Sequence, residues 1–477
     1  MKINFIILFI FIIIKTIETN ELLINNKYFN VIPDNSMQKY SHKENDNLYF
    51  IFSIFRHGAR APMDKELHNN TDILGGKWNN KAELTSTGRK QHYMIGTKNK
   101  KRYSDFINNT YNPEEILIYS TCTDRTMSSA QCQLLGLYNG LSYTNELNFD
   151  DITNNTEFDI NLNSIIPPIH LFKGRKNYHT NLFFKRPKSK YETILQYSKF
   201  CPPMVKLINK NYEDFETNPD IDSFIYEFNK KYGDILKKKY NIDIFTNRKE
   251  LKGFCDAYIS DYFDENNKKL LELFTSEGFN ITDLLYECYY YHGYYLFEID
   301  GNGYAKNNSI LSMSTLMREI INIMNERKLK NNKYTSNKLP KYFLISSHDT
   351  SLVMIQLFFK YAFGTQLDYP YLASNFVIEL RKYNDIFFVE AYLNDFLKLN
   401  TSLEEFEEKI LNISYDEKYV INYCLEITNY SFDTIILILI GVAFIHFILF
   451  LYLIKYCCSS KYKKVKGNSS INVTDKN

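Results

Sequence analysis

The 477-residue sequence has no charge excess of either sign: 57 Lys and Arg stand against 55 Asp and Glu, a formal net charge of +2. A nucleic-acid binder shows a basic surplus, so nucleic acid is not an expected partner. The glycine-rich GxxxxGK[ST] loop that cradles nucleotide phosphates is missing, and so is an aspartate-rich cluster for divalent cations. There is no CxxC pair and no Cys/His spacing suited to zinc. No metal and no cofactor is therefore expected. Tandem repeats are also missing. With 44% hydrophobic and 23% charged residues, the composition is that of a globular chain. Its length allows one large domain or two moderate ones.

The two ends carry membrane signals. Lys2, an apolar run from Ile3 to Ile14 broken only by Asn4, and then Lys15 form the pattern of a secretory signal peptide over residues 1–19, too short to span a bilayer. No small-x-small pattern fixes a cleavage point, and an uncleaved anchor is the alternative. Near the other end, Thr434 to Ile454 contains no Asp, Glu, Lys or Arg and is long enough for one crossing. His446 within it reads as a tolerated neutral imidazole. Residues 455–477 hold Lys455, Lys461, Lys463, Lys464, Lys466 and Lys476 against Asp475 alone, which predicts a cytosolic tail. The expectation is a single-pass type I membrane protein with its bulk outside the cytosol.

Cysteine and sequon usage agree with that topology. Cys122, Cys132, Cys201, Cys255, Cys288 and Cys424 precede the apolar span, where an oxidising compartment favours disulfides; their pairing stays open. Cys457 and Cys458 sit where palmitoylation occurs. Glycosylation sequons begin at Asn69, Asn108, Asn154, Asn280, Asn307, Asn400, Asn412 and Asn429.

Three apolar runs each end in polar residues and then helix-like sequence. "LYFIFSIF" (Leu48–Phe55) leads into Arg56, His57 and Gly58. "EILIYS" (Glu115–Ser120) leads into Asp124 and Arg125. "YFLISS" (Tyr342–Ser347) leads into His348 and Asp349. Continuous apolar strands alternating with helices predict an α/β fold with a mostly parallel sheet flanked by helices. Ligands of such sheets bind beyond the carboxyl ends of the strands. Asn375–Leu380 and Asp385–Leu393 read as a closing antiparallel hairpin. Residues 143–330, rich in Lys, Tyr, Asn and Glu, read as an inserted, mainly α-helical cap between core segments 45–142 and 331–430.

Arg56, Arg60 and Arg125 would make a permanently cationic pocket, and guanidinium forks match phosphate oxygens. Gly58 would let the backbone approach a bound anion closely. Without a P-loop or metal, the arginines would stabilise the transferring phosphoryl group. Cationic neighbours keep His57 neutral and hence nucleophilic. Asp349 is the candidate general acid, and His348 a donor to the equatorial phosphate oxygens. A nucleophile kept neutral beside an acid that must be protonated predicts a low pH optimum.

These residues resemble the histidine acid phosphatases, the RHG-motif branch that includes lysosomal and prostatic acid phosphatases. The likeness extends from "RHGARAP" to Trp78, "LTSTGRKQHYMIGTKNKKRY", "STCTDRTMSSA" and "SSHDTSL", and covers roughly Leu48 to Cys424. "FCPPM" and "GFCDAY" fall where that family has cap cysteines. The resemblance implies metal-free hydrolysis of phosphate monoesters, with His57 as nucleophile, Asp349 as proton donor, and Arg56, Arg60, Arg125 and His348 binding phosphate. Cys122 departs from it at an acidic position. Asn375 stands where the family has a cysteine that pairs with the equivalent of Cys201, which puts the family's disulfide pattern in doubt. Inositol polyphosphates or lysophosphatidic acid are alternative substrates, and an inactive receptor or adhesion ectodomain is the reading from another class. A homodimer is left open. Tyr462–Val465 matches a YxxΦ sorting signal for an adaptor, which points to the lysosomal membrane, with the cell surface as the alternative.

Overall fold

A computed structural model of the chain describes residues 47–63, 82–139, 169–172, 201, 203–206, 209–210, 213, 217–240, 248–263, 269–297, 304–329 and 339–467. The signal-peptide reading, Trp78, the sequons at Asn69 and Asn154, and the side chains of Cys457, Cys458 and Tyr462–Val465 lie outside the described residues.

Strand β1 (Leu48–Arg56) is the centre of the fold, and every residue but Tyr49 is buried. With β2 (Ile116–Thr121), β3 (His170–Phe172), β4 (Tyr342–Ser347), β5 (Asn375–Tyr383), β6 (Ile386–Leu393) and β7 (Phe396–Ser402) it forms a seven-stranded sheet of order β3-β2-β4-β1-β5-β6-β7. The period of two sends Phe50, Phe52 and Ile54 to one face, and Ile51 and Phe55 to the other. The second face packs under α1 (Ser86–Arg102) and α2 (Asp124–Asn139). The first packs on α7 (Tyr304–Leu329), α8 (Asp349–Phe363) and α9 (Leu403–Ile413). A strand covered on both sides must be apolar throughout, which is why β1 shows no polar alternation.

The expected mostly parallel sheet is mixed. β3, β2, β4 and β1 pair in parallel, whereas β1–β5, β5–β6 and β6–β7 are antiparallel. Two tight turns cause this. Asn384 and Asp385 have φ of 46° and 67°, and Asn394 and Asp395 have 50° and 71°. Such paired left-handed residues match the twist of a two-residue hairpin. The expected β5–β6 hairpin therefore continues into β7.

Among the described residues, four helices form an aromatic-rich cap: α3 (Pro219–Tyr240), α4 (Arg248–Tyr262), α5 (Lys269–Ser276) and α6 (Ile281–Phe297). Phe224, Phe228, Phe254, Tyr258 and Phe274 fill their core, which continues onto Val353 and Leu357 of α8. The α7 helix, part of the segment read as cap, packs with the sheet cluster instead. A disulfide joins Cys201 to Cys424 across 223 residues, while Cys122, Cys132, Cys255 and Cys288 are free.

The last helix, α10 (Glu417–Gly467), runs through the C-terminal apolar stretch, where Leu439, Phe444, Phe447, Phe450 and Ile454 are exposed. Among the described residues no helix is long and apolar enough to cross a membrane. The crossing expected over 434–454 is thus not established by them.

Candidate active site

The carboxyl ends of β1, β2 and β4 coincide, because Arg56 is in register with Ser347 and Ser120 with Ser346. From these ends the chain delivers Arg56 and His57, then Thr121 and Arg125, then His348 and Asp349. With Arg60 from the loop after β1, the six residues singled out in the sequence (Arg56, His57, Arg60, Arg125, His348 and Asp349) meet here. Arg56 Nη2 lies 2.9 Å from Asp349 Oδ2. The His57 and His348 rings are 5.7 Å apart, and Arg125 Nη2 is 3.4 Å from His348 Nδ1.

The loop after β1 is held by backbone contacts. A Cβ on Gly58 would stand 2.4 Å from the Gly88 carbonyl oxygen, so glycine is required at this crossing. Thr85, the N-cap of α1, donates its hydroxyl to the Ala59 carbonyl and accepts from Gly88 N. Ala59 N donates to Gln91 Oε1, and Gly58 N donates to Ser129 Oγ. The motif-rich segments of α1 and α2 are thus the scaffold of the Arg56–Arg60 loop.

His57 is buried, with Nδ1 2.9 Å from the Gly58 carbonyl oxygen. That oxygen can only accept, so Nδ1 carries the hydrogen and Nε2 keeps its lone pair when the ring is neutral. Burial, followed by Arg125, Arg56, Arg60 and His348, holds its pKa well below the ordinary 6.5. The ring is therefore unprotonated even in mild acid.

The arginines face this ring differently. Arg56 Nη1 donates to the Pro370 carbonyl at 2.6 Å. Arg60 makes a two-point contact with Asp256 of α4, at 2.7 and 3.3 Å. Arg125, crowded by burial and then by Arg60, has its pKa pushed down to about 10, which leaves it charged. The Nε atoms of all three are buried without a hydrogen-bond partner. Three unpartnered buried guanidinium donors at one strand edge favour an anion.

Asp349 begins α8, and Oδ1 accepts from Thr350 N. Burial would raise its pKa, but Arg56, His292, His57 and His348 together hold it far below the ordinary 3.8. In this state it is a carboxylate. His348 is more committed than expected. With Arg125 donating towards Nδ1, its Nε2–H donates to Thr121 Oγ1 at 3.0 Å. In this state the ring is oriented by Thr121 and Arg125 rather than offered as a donor to phosphate.

Reading the sequence missed three neighbours. Asp256 drew attention only for the adjacent Cys255. His292, on α6, lies 2.8 Å from Tyr369 Oη, and burial pushes its pKa down to about 4. Burial raises the Tyr369 pKa, and the nearby Arg56 charge opposes that rise. No periodicity marks these residues: cap helices carry Asp256 and His292, the loop before β5 carries Tyr369, and only tertiary packing brings them together. Among the described residues, no three His, Cys, Asp or Glu are grouped to hold a metal.

The family model for the histidine phosphatase superfamily, branch 2, matches residues 47–394. The chain belongs to that family. A lysosomal acid phosphatase from Xenopus laevis is 37% identical over 94 residues, 19% of this chain and 21% of that protein. A prostatic acid phosphatase from Mus musculus is 39% identical over 92 residues, 19% of this chain and 24% of that one. The matched stretch therefore spans less than a quarter of these relatives' length. Among solved structures, a phytase from Citrobacter braakii superposes with a TM-score of 0.49 at 12% identity, covering 78% of this chain and 99% of that one. A multiple inositol polyphosphate phosphatase from Bifidobacterium longum does so with 0.46 at 11% identity, covering 80% and 92%.

Proposed function

We propose that this superfamily member is an acid phosphatase that hydrolyses phosphate monoesters through a phosphohistidine at His57. One observation carries the reading: a buried imidazole, its Nδ1–H fixed on a carbonyl and its Nε2 lone pair retained, lies among three guanidinium groups with unpartnered donors.

The Nε2 lone pair attacks phosphorus, and the P–O bond to the leaving group breaks. Arg56, Arg60 and Arg125 offset the charge on the phosphoryl oxygens. The departing alkoxide takes the proton of Asp349. Water then attacks the phosphohistidine, the Asp349 carboxylate takes a proton from it, and inorganic phosphate and neutral His57 are released. Asp349 has to be protonated for the first step although Arg56 holds it ionised. A phosphate dianion competing for Arg56 weakens that hold, so substrate binding itself raises the affinity of Asp349 for its proton. His348, steadied by Thr121 and Arg125, is assigned to the phosphate site as an orienting group.

The same reading places a helical cap between the two core segments, with α7 belonging to the core on which it packs. It gives the protein a membrane anchor at 434–454, supported by the exposed apolar face of α10. Exposed sequon asparagines Asn280, Asn307, Asn400 and Asn412 support a lumenal or extracellular body, in the lysosomal membrane or at the cell surface.

The test is turnover of an aryl phosphate at acid pH by the detergent-solubilised chain, with an acid quench to trap labelled phosphoenzyme. Label is expected on His57 and none in His57→Ala. Label retained in that variant would move the nucleophile elsewhere.

A further inference from the structure

Arg60 is an unusual anion-binding arginine, because its terminal nitrogens are already occupied. Nη2 donates to Asp256 Oδ1 at 2.7 Å, and Nη1 donates to Asp256 Oδ2 at 3.3 Å and to the Ala61 carbonyl at 3.0 Å. Arg60 is only 5% exposed, and its Nε is buried without a partner. The same carboxylate also takes Met63 N at 2.7 Å, so it grips the loop three residues further on. Asp256 is carried by α4, whose Phe254, Cys255, Ala257 and Tyr258 are buried in the cap core. One cap carboxylate therefore fixes both the arginine and the backbone that carries it.

We propose that Asp256 is a positioning residue for phosphate binding: by holding the Nη end of Arg60, it turns the Nε edge of that guanidinium towards the phosphoryl group. The cap thereby sets substrate affinity from outside the catalytic groups. A guanidinium side chain has several freely rotating bonds, and ordering them beforehand lowers the entropic cost of binding. A bridge that served only to hold the cap would instead affect folding, with no selective effect on affinity.

This rests on the phosphatase reading, and the measurements separate the two. In the full chain, Asp256→Ala is expected to raise KM for an aryl phosphate and Ki for inorganic phosphate about tenfold, the loss of one charge-assisted contact. The rate constant kcat should stay within about threefold, and phosphoenzyme should still form on His57. Asp256→Glu, which keeps the carboxylate, should restore most of the affinity. Unchanged KM and Ki, a loss confined to kcat, or an Asp256→Glu variant as weak as Asp256→Ala would overturn the proposal. Should Asp256→Ala fail to fold, the isosteric Asp256→Asn gives the same comparison. Calorimetric titration with inorganic phosphate reads the affinity without turnover. A weaker titration of Asp256→Asn in a chain lacking hydrolysis would uphold the positioning role while removing the phosphatase reading, and equal titrations would remove the positioning role.

Discussion

Arg56 closes β1 and Asp349 opens α8, and their side chains meet at 2.9 Å in an ion pair whose arginine is buried and whose carboxylate is partly exposed. The pair links two strand ends that are neighbours in the sheet but nearly three hundred residues apart in sequence. It also sets the protonation state from which the proposed reaction starts.

Replacing the proton donor should therefore depend on the leaving group. Asp349→Asn keeps the shape but supplies no acidic proton. For an alkyl phosphate, turnover is expected to fall by about 10²–10⁴. For a nitrophenyl phosphate, whose leaving group departs without help, the loss should be at most about tenfold. Single-turnover rates of phosphoenzyme formation on the two substrates check this, because hydrolysis of the phosphohistidine, where Asp349 also acts, is common to both. Equal losses on both would remove Asp349 as the acid.

Buried histidines predict how stability follows pH. Burial pushes both His92 and His292 down to about 4. The unfolded imidazole takes its proton near 6.5. Between these values the unfolded chain binds more protons, so stability is lost as pH falls from about 6.5 to about 4. The slope is about 1.4 kcal/mol per pH unit for each histidine, or about 3 kcal/mol each over the window. His57 acts in the same direction. Thermal unfolding at pH 7 and pH 5 should show the drop, and His92→Gln should flatten it by about a third.

The crossing of the Arg56–Arg60 loop with α1 leaves no room for a methyl group. A Cβ on Gly88 would stand 2.1 Å from the Ala59 carbonyl oxygen. Gly88→Ala is expected to cost about 2 kcal/mol, in the range for forced overpacking, and to weaken phosphate binding by shifting Arg60. Urea midpoints and phosphate inhibition constants measure the two effects.

Removing the disulfide should be felt by the whole body. Cys201 and Cys424 close a loop of 223 residues, for which cross-link loss costs up to about 5 kcal/mol. Cys424→Ser is expected to lower the unfolding midpoint sharply. Cys122→Ser, at an exposed free thiol, should leave it unchanged.

The sequence made the site's location legible where chemistry follows directly on a strand. Arg56-His57 and His348-Asp349 each close an apolar run, and a central strand covered on both faces has little choice but to be that run. The β5–β6 hairpin was visible for the same reason. β7 was not, because Phe396–Ser402 is only half-buried at the sheet edge and its turn uses Asn394-Asp395 rather than a glycine. The three parallel neighbours of the motif strands therefore suggested a more parallel sheet than exists. Asp256 and His292 lie on amphipathic cap helices, where a single polar residue looks like a solvated face until the helix is docked. The partner of Cys201 was likewise a matter of tertiary proximity.

The bond between Cys201 and Cys424 reaches α10, which continues as one helix to Gly467. Ten residues of helix, about 15 Å, separate Cys424 from Thr434. If the apolar stretch is embedded in a bilayer, the catalytic cleft is mounted on a short stiff mast clamped covalently at its head. Its height and tilt over the lipid would then be fixed, and bulky phosphorylated macromolecules would be screened by how they approach the surface as much as by what the cleft accepts.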